Sequence, residues 1–572
     1  MARRGETASI ISRAPSETYT DITAEEGPVF NVDEAMENIG MGPYQYKRFP
    51  IVAMVGFSQS CVLMLPYILL VYFTCNYHLS TVEQGITIGA MLTGNLLGDL
   101  VAGMVCDRTG RKFVLVLGTW VLTLGTLSLL LLTHFFFFLL WRTFSLGIGI
   151  GLCTFTSIIY VSEMATPEAR GKSITLINVF WGAGTLYTAT MAWLFMNNMG
   201  VKAVVVMVSI PLFVTSILCC VLPDTPKYLA ASGDPEGARM VLKAMAEEND
   251  KELPTGSLHT QPVLRRGVMR DMFEEDHIRN SVMMMIIFFS AGFVFYTGYA
   301  MTPYILEEGY CGLPKPAVHR VCTFASDTLK EAVIITAAEI TILPFTAALS
   351  ENWGRLPTIR LISCLLLFAS TFIFWCLSPL VFITALFLQR GACQSLFNVL
   401  YLYTPELYPT YMRAVSCGVV MSCMTGGGLV SSLLVYTVGL GYSWKILMGL
   451  LAGCALVVCV TTFLLELETQ GTYLPDMSVE MGACMPCKFV KKKIRKRIKR
   501  YQSRRQQTLS DDDDSEENEV VGDDSEENEV VGDNSKENEV VRDKEEVGDT
   551  GVGENTAVDR SAHLNEAYQE NG

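Results

Sequence analysis

Charge is scarce in this chain of 572 residues. Asp, Glu, Lys and Arg make up 18% of it and half of its residues are apolar, whereas about a quarter of an ordinary soluble protein is charged. Histidine is scarcer still, with six residues scattered along the sequence. No Ser–His arrangement, metal-ligand cluster or phosphate loop accompanies them, so enzymatic chemistry is set aside. No cofactor, metal or nucleic-acid partner is implied. The run Gly147-x-Gly149-x-Gly151 falls within an apolar stretch, where small residues serve close helix packing. No apolar run appears before about residue 49; a cleaved leader is not expected, and the first long apolar segment should itself direct insertion.

What is abundant is apolar sequence in long runs. A helix needs about 20 largely apolar residues to cross a bilayer. Twelve stretches qualify: 50–73, 84–106, 113–132, 135–161, 173–196, 203–222, 281–305, 331–349, 357–377, 380–403, 413–438 and 444–465. They fall as six, a polar gap at 223–280 and six more, with an amphipathic helix expected from Pro235 to Glu248. The predicted fold is all-α and membrane-embedded, with twelve transmembrane helices in two pseudo-symmetric halves. The expected divisions are a polar N-terminal segment 1–45 without fixed structure, the halves 46–222 and 281–466, the central loop 223–280 and a tail 467–572.

Loops after even-numbered spans hold sixteen Lys and Arg, those after odd-numbered spans five. The positive-inside rule places both termini in the cytoplasm. The loop between spans seven and eight then faces an oxidising compartment, where Cys311 and Cys322 are candidates for a disulfide; the alternative is two free thiols.

The net charge of −15 belongs to the tail. Residues 506–572 hold 23 acidic and 4 basic side chains, a net of −19, which leaves about +4 for the remainder. Decapeptides DDSEENEVVG at 513–522 and 523–532, and DNSKENEVVR at 533–542, repeat within it. Such sequence builds no core and is expected to be disordered. The basic run Lys491 to Arg500 just before it suits anionic lipid or simple cytoplasmic retention. Cys484 and Cys487 lack the second pair that zinc needs and are candidates for palmitoylation instead. Most other cysteines lie in apolar stretches and read as small hydrophobes.

The halves repeat their loop chemistry. Gly103-x3-Asp107-Arg108-x-Gly110-Arg111-Lys112 follows span two, and Ala347-x3-Glu351-Asn352-x-Gly354-Arg355 follows span eight. Glu163 precedes Arg170 by seven residues, as Glu406 precedes Arg413, an offset of 243 between halves against 244 for Gly110 and Gly354. These residues are candidates for a cytoplasmic latch of helix-end carboxylates and arginines, Gly103 permitting close helix approach. The plainer alternative is ordinary positive-inside charge.

These motifs resemble the major facilitator superfamily over about residues 46–472. Phe30 to Gln45 (FNVDEAMENIGMGPYQ), Leu222 to Tyr228 (LPDTPKY) and Tyr403 to Thr410 (YTPELYPT) are similar to the synaptic vesicle two-related proteins, near the organic-ion transporters. The resemblance implies residence in a vesicle or plasma membrane, a small organic solute as cargo and a monomer. Two departures stand out. Glu351 and Asn352 replace Asp and Arg, which suggests a weaker second latch. Leu467-Glu468-Thr469-Gln470-Gly471 lacks the proline and lysine usual in sugar porters.

Ionisable residues within spans are costly and mark function. Arg142 in span four and Arg390 in span ten stand at similar depths, suited to an anionic solute. Glu339 in span eight is either part of that site or the internal partner of Arg390. Asp99 in span two is a candidate to carry a coupling proton or to belong to the latch. Trp181, Tyr187, Tyr296, Tyr299, Asn398 and Tyr401 are candidates to line the cavity. The expected activity is secondary transport by alternating access. The rival reading is a non-transporting vesicle protein that works through its tails.

Overall fold

The computed structural model describes residues 29–131, 136–166, 169–258, 269–274, 277–308, 326–375, 377–408, 412–439 and 443–469. Ten helices among them are long and apolar enough to cross a membrane, and Arg111–Ser128 and Arg170–Met199 complete the twelve-span arrangement. Spans one to six are Pro43–Tyr77, Thr81–Thr109, Arg111–Ser128, Phe136–Met164, Arg170–Met199 and Val201–Cys219. Span seven is Ile278–Glu308, span nine Arg355–Trp375, span ten Pro379–Leu407 and span twelve Trp444–Leu464. Span eleven, Arg413–Leu434, continues as a π-helical turn over Val435–Gly439.

Most helices run a few residues past the hydropathy limits because apolarity reports the membrane interior alone. Two of the span starts are fixed by polar side-chain caps. Ser80 and Glu83 form a reciprocal capping box at the start of span two, and Ser378 accepts from the Val381 N–H before span ten.

Span eight is broken into Ser326–Thr336, Ala338–Thr341 and Leu343–Asn352. Pro344 cannot donate to the carbonyl one turn earlier, and the four-residue middle piece carries Glu339, which is fully buried.

Residues 29–45 do not behave as the unstructured lead-in that their polarity suggested. Val29–Phe30 pairs in parallel with Ser257–Leu258. Helix Val32–Ile39 buries Ala35, Met36 and Ile39, near helices Pro226–Ser232 and Pro235–Glu248, the second of which matches the expected amphipathic segment. Asn249 accepts from the Tyr44 N–H at 2.9 Å and donates to Gln45 at 3.0 Å. The signal missed was short-range: three apolar residues on one face of eight.

Packing is closest between spans two and four. A Cβ on Gly147 would lie 1.8 Å from the Met91 carbonyl oxygen, so backbone meets backbone there. Between the halves, span two lies along span eleven from Gly85 beside Tyr436 to Gly103 beside Gly418. Span five lies against spans eight and ten.

Candidate functional site

Two buried polar centres lie where the halves meet, one within the membrane and one at the end bearing the repeated motifs. In the first, Arg390 Nε donates to Glu339 Oε1 at 2.6 Å, the residues being 4% and 0% exposed. Tyr299 donates to the same oxygen at 3.0 Å, and Thr185 of span five donates to Oε2 at 2.8 Å. The guanidinium stacks 3.7 Å from the centre of the Tyr299 ring, a cation–π contact strengthened by desolvation. Glu339 thus joins spans five, seven, eight and ten, and ties a side chain of the first half to the second.

A chain of amides continues from this centre. Gln394 donates to Asn178 at 3.1 Å, Asn178 to Asn398 at 3.1 Å, and Asn398 to Thr175 at 3.1 Å. Spans five and ten are therefore linked by three hydrogen bonds, two of them buried and the third partly buried. Trp181 is 8% exposed and precedes Gly182, whose added Cβ would lie 3.1 Å from Glu339 Cβ. The pocket beside Arg390, lined by Phe295, Gly298, Leu386, Gln389 and Cys393, holds about 10 Å³. That is room for about one water, so the site is closed in this conformation. The Nη1 atom of Arg390 has no hydrogen-bond partner among the described residues.

Arg142 and Arg390 stand in different surroundings. The 243-residue offset between halves makes Gly147 the counterpart of Arg390 and Ala385 that of Arg142. Five residues separate the two registers, about 7.5 Å along a helix. Arg142 is partly exposed and acts on Tyr77 at the far end of span one. The expectation of two arginines at matching depth is corrected accordingly: arginine content matched between spans, register did not.

Asp99 is 2% exposed and accepts from Thr425 of span eleven at 2.8 Å. It faces the second half from within the membrane, away from the latch carboxylates.

At the other end, the halves repeat the same set of contacts, with Arg111–Glu163 a hydrogen-bonded ion pair and Arg355–Glu406 a longer one. Arg111 reaches Glu163 at 2.8 Å, as Arg355 reaches Glu406 at 3.7 Å. Thr225 donates to Glu163 at 2.6 Å, Thr469 to Glu406 at 2.7 Å. Tyr160 donates to the Pro223 carbonyl and Tyr403 to the Leu467 carbonyl, both at 2.9 Å. Asp224 accepts from the Lys112 N–H at 2.9 Å, and Glu468 from those of Arg355 and Leu356 at 2.8 and 3.0 Å. Gly110 and Gly354, at φ 94° and 107°, make the turns on which each cluster is built. Sequence reading singled out both Leu222–Thr225 and Leu467–Thr469 but missed that they are one element repeated at an offset of 244. Comparing the two stretches at that offset would have found it.

Ion pairs that cross between the halves at this end include Arg170–Glu406 at 3.9 Å and Lys172–Glu351 at 4.0 Å. Asp107 pairs within its own half with Arg111 at 3.4 Å. Arg413 donates to the Pro405 carbonyl at 3.0 Å. The Arg108 side chain is exposed, and its backbone carbonyl accepts from Tyr228. Asp33 of the N-terminal helix pairs with Lys227, whose side chain is 10% exposed; burial lowers the Lys227 pKa and Asp33 opposes that shift. Cys75, at the opposite end of span one, is disulfide-bonded. Cys311, Cys322, Cys484, Cys487, Lys491 to Arg500 and the acidic repeats lie outside the described residues.

Two six-span halves meeting at a buried, closed polar centre are the architecture of a secondary transporter of the major facilitator type, not of an enzyme. The chain belongs to the sugar (and other) transporter family, whose model matches residues 51–480. It is similar to the synaptic vesicle 2-related protein of Pongo abelii, 28% identical over 78% of this chain and 83% of that one. The Xenopus laevis protein of the same name is 27% identical over the same shares. Among solved structures it is similar to the xylose transporter XylE from E. coli in a partially occluded inward-open conformation. The TM-score is 0.58 and the identity 14%, over 77% of this chain and all of that one.

Proposed function

We propose that this protein carries a small polar organic solute across a vesicle or plasma membrane by alternating access, its halves rocking about the Glu339–Arg390 centre. The observation that carries this reading is a buried ion pair tied across the half interface, with Arg390 Nη1 left without a partner. A purely structural bundle gains little from such a pair, because desolvation offsets much of the attraction. Glu339 already balances Arg390, so a net-neutral, hydrogen-bonding solute fits better than a bare anion. Asp99 is the buried carboxyl available to a coupling cation, a proton being the simplest. The crossing pairs Arg170–Glu406 and Lys172–Glu351 act as the cytoplasmic latch, broken when that side opens. Both termini lie in the cytoplasm in this reading, supported by the loop charges and by the disulfide of Cys75 at the opposite end of span one.

The test is a thermal-shift panel of organic anions, cations, sugars and other polar solutes on purified protein, followed by uptake of each hit into proteoliposomes. Ligand binding to the folded state raises its unfolding temperature. A hit lost in Arg390→Ala and Glu339→Gln is expected. No hit and no uptake from folded protein would favour a vesicle protein that has kept the fold and lost the cargo.

A further inference from the structure

Span two presents a second acceptor beside Asp99 that no solute contact or latch accounts for. Asn95 and Asp99 are 3% and 2% exposed, and Asn95 Oδ1 and Asp99 Oδ1 both lack a hydrogen-bond partner among the described residues. They stand four residues apart and so share one helix face, one turn separating them. The opposite face is fixed: a Cβ on Gly151 of span four would lie 2.3 Å from the Asn95 carbonyl oxygen and 2.5 Å from the Asp99 nitrogen. Both side chains are thereby committed to the second half. Asn95 Nδ2 donates to the Tyr296 hydroxyl of span seven at 3.4 Å, and Thr425 of span eleven donates to Asp99 Oδ2 at 2.8 Å.

The titratable groups that sense the Asp99 charge are Tyr296 of span seven and Tyr401 of span ten. No Lys or Arg among the described residues pairs with it. An ionised carboxylate held in this way needs a cation. A proton on Asp99 Oδ1 serves Asn95 Oδ1 as well only where the two oxygens stand within about 2.5–3.0 Å, the reach of an O–H donor. A metal cation uses both. Oxygens each about 2.4 Å from a hard cation lie within about 5 Å of one another, as acceptors one helical turn apart can.

We infer that Asn95 and Asp99, with the hydroxyls of Tyr296 and Thr425, form a site for a hard monovalent cation of the sodium class at the interface of the halves. The inference rests on the transport reading, in which this ion is the coupling partner. Its ligands come from span two of the first half and spans seven and eleven of the second. The bound ion holds the halves closed, and parting of spans two and eleven releases it.

The test is thermal unfolding of the purified full-length protein in sodium chloride against choline chloride at constant ionic strength, at mildly acidic and mildly alkaline pH. Sodium is expected to raise the unfolding temperature saturably, by about 2 °C or more, and to have no effect on Asn95→Ala or Asp99→Asn. Should either variant fail to fold, Asn95→Asp replaces it; the added carboxylate is expected to lower the half-saturating sodium concentration roughly tenfold, and an unchanged value overturns the site. Equal sodium stabilisation of the parent and both variants also overturns it. So does indifference to sodium with a pH response lost in Asp99→Asn and kept in Asn95→Ala; Asp99 is then a proton carrier and the transport reading stands. Sodium binding at this site in a protein that moves no solute overturns the transport reading instead.

Discussion

Removing one partner of the Glu339–Arg390 pair leaves a buried charge beside a pocket with room for about one water. The pair is 2.6 Å long between residues 0% and 4% exposed. Glu339→Gln keeps the shape of the side chain but strips Arg390 of its counter-ion, and breaking such a pair costs about 3–5 kcal/mol. Arg390→Gln leaves the carboxylate with only the Tyr299 and Thr185 hydroxyls, and a similar loss is expected. The double variant holds no buried charge at this centre, so most of the loss is expected to be recovered. With about 1–2 kcal/mol left in the double variant, the coupling energy of the cycle, the sum of the single losses less that of the double, is about 5–8 kcal/mol. Unfolding entropy grows with chain length, at about 2 cal/mol/K per residue, so each single variant is expected to unfold about 3–5 °C lower in a fold of this size. The assay is thermal unfolding of parent, single and double variants, with uptake measured beside it. Restored stability without restored uptake is the expected pattern. Additive losses in the double variant would refute the pairing argument, and full uptake by it would remove the centre from the transport site.

Asp107→Ala removes the carboxylate beside Arg111 while leaving Glu163 in place; membrane insertion and folding are expected to persist while turnover falls, and unchanged uptake at normal expression would remove the Asp107–Arg111 pair from the switching machinery. Gly147→Ala sets a methyl group against the Met91 carbonyl. A cost of about 1–3 kcal/mol is expected, read as a lower unfolding temperature. Glu248 accepts from Lys47 and Arg48 at 2.7 Å each; the Lys47 bond first, then that of Arg48, lowers its pKa below 4.5. Because the folded value is depressed, its contribution is present above the ordinary carboxylate range and is lost as pH falls through the folded pKa. Glu248→Gln is therefore expected to cost about 0.5–1 kcal/mol at neutral pH, the pair being partly exposed, and to differ little from the parent in acid. A variant that stays equally weaker at low pH would refute the assignment.

The twelve spans, their arrangement as six and six, and the half-to-half repeat of charged motifs followed from the sequence alone. So did the choice of Asp99, Glu339 and Arg390 as ionisable residues inside spans. The reason is that a membrane imposes local rules: about 20 apolar residues to cross it, and a desolvation cost on every charge placed within it. Both can be read one position at a time. Tertiary structure alone decided which groups meet. Glu339 and Arg390 are 51 residues apart in sequence and Asp99 and Thr425 are 326 apart. Their meeting depends on how each helix is rotated and tilted, which nearly uniform apolar sequence does not record. Arg142 shows the limit: it lies in the right span, but five residues out of register it is partly exposed and its charge acts on Tyr77 of span one. The cytoplasmic clusters show it again, because Asp224 and Glu468 gain their role only where the chain returns after the sixth and twelfth spans to the starts of the third and ninth.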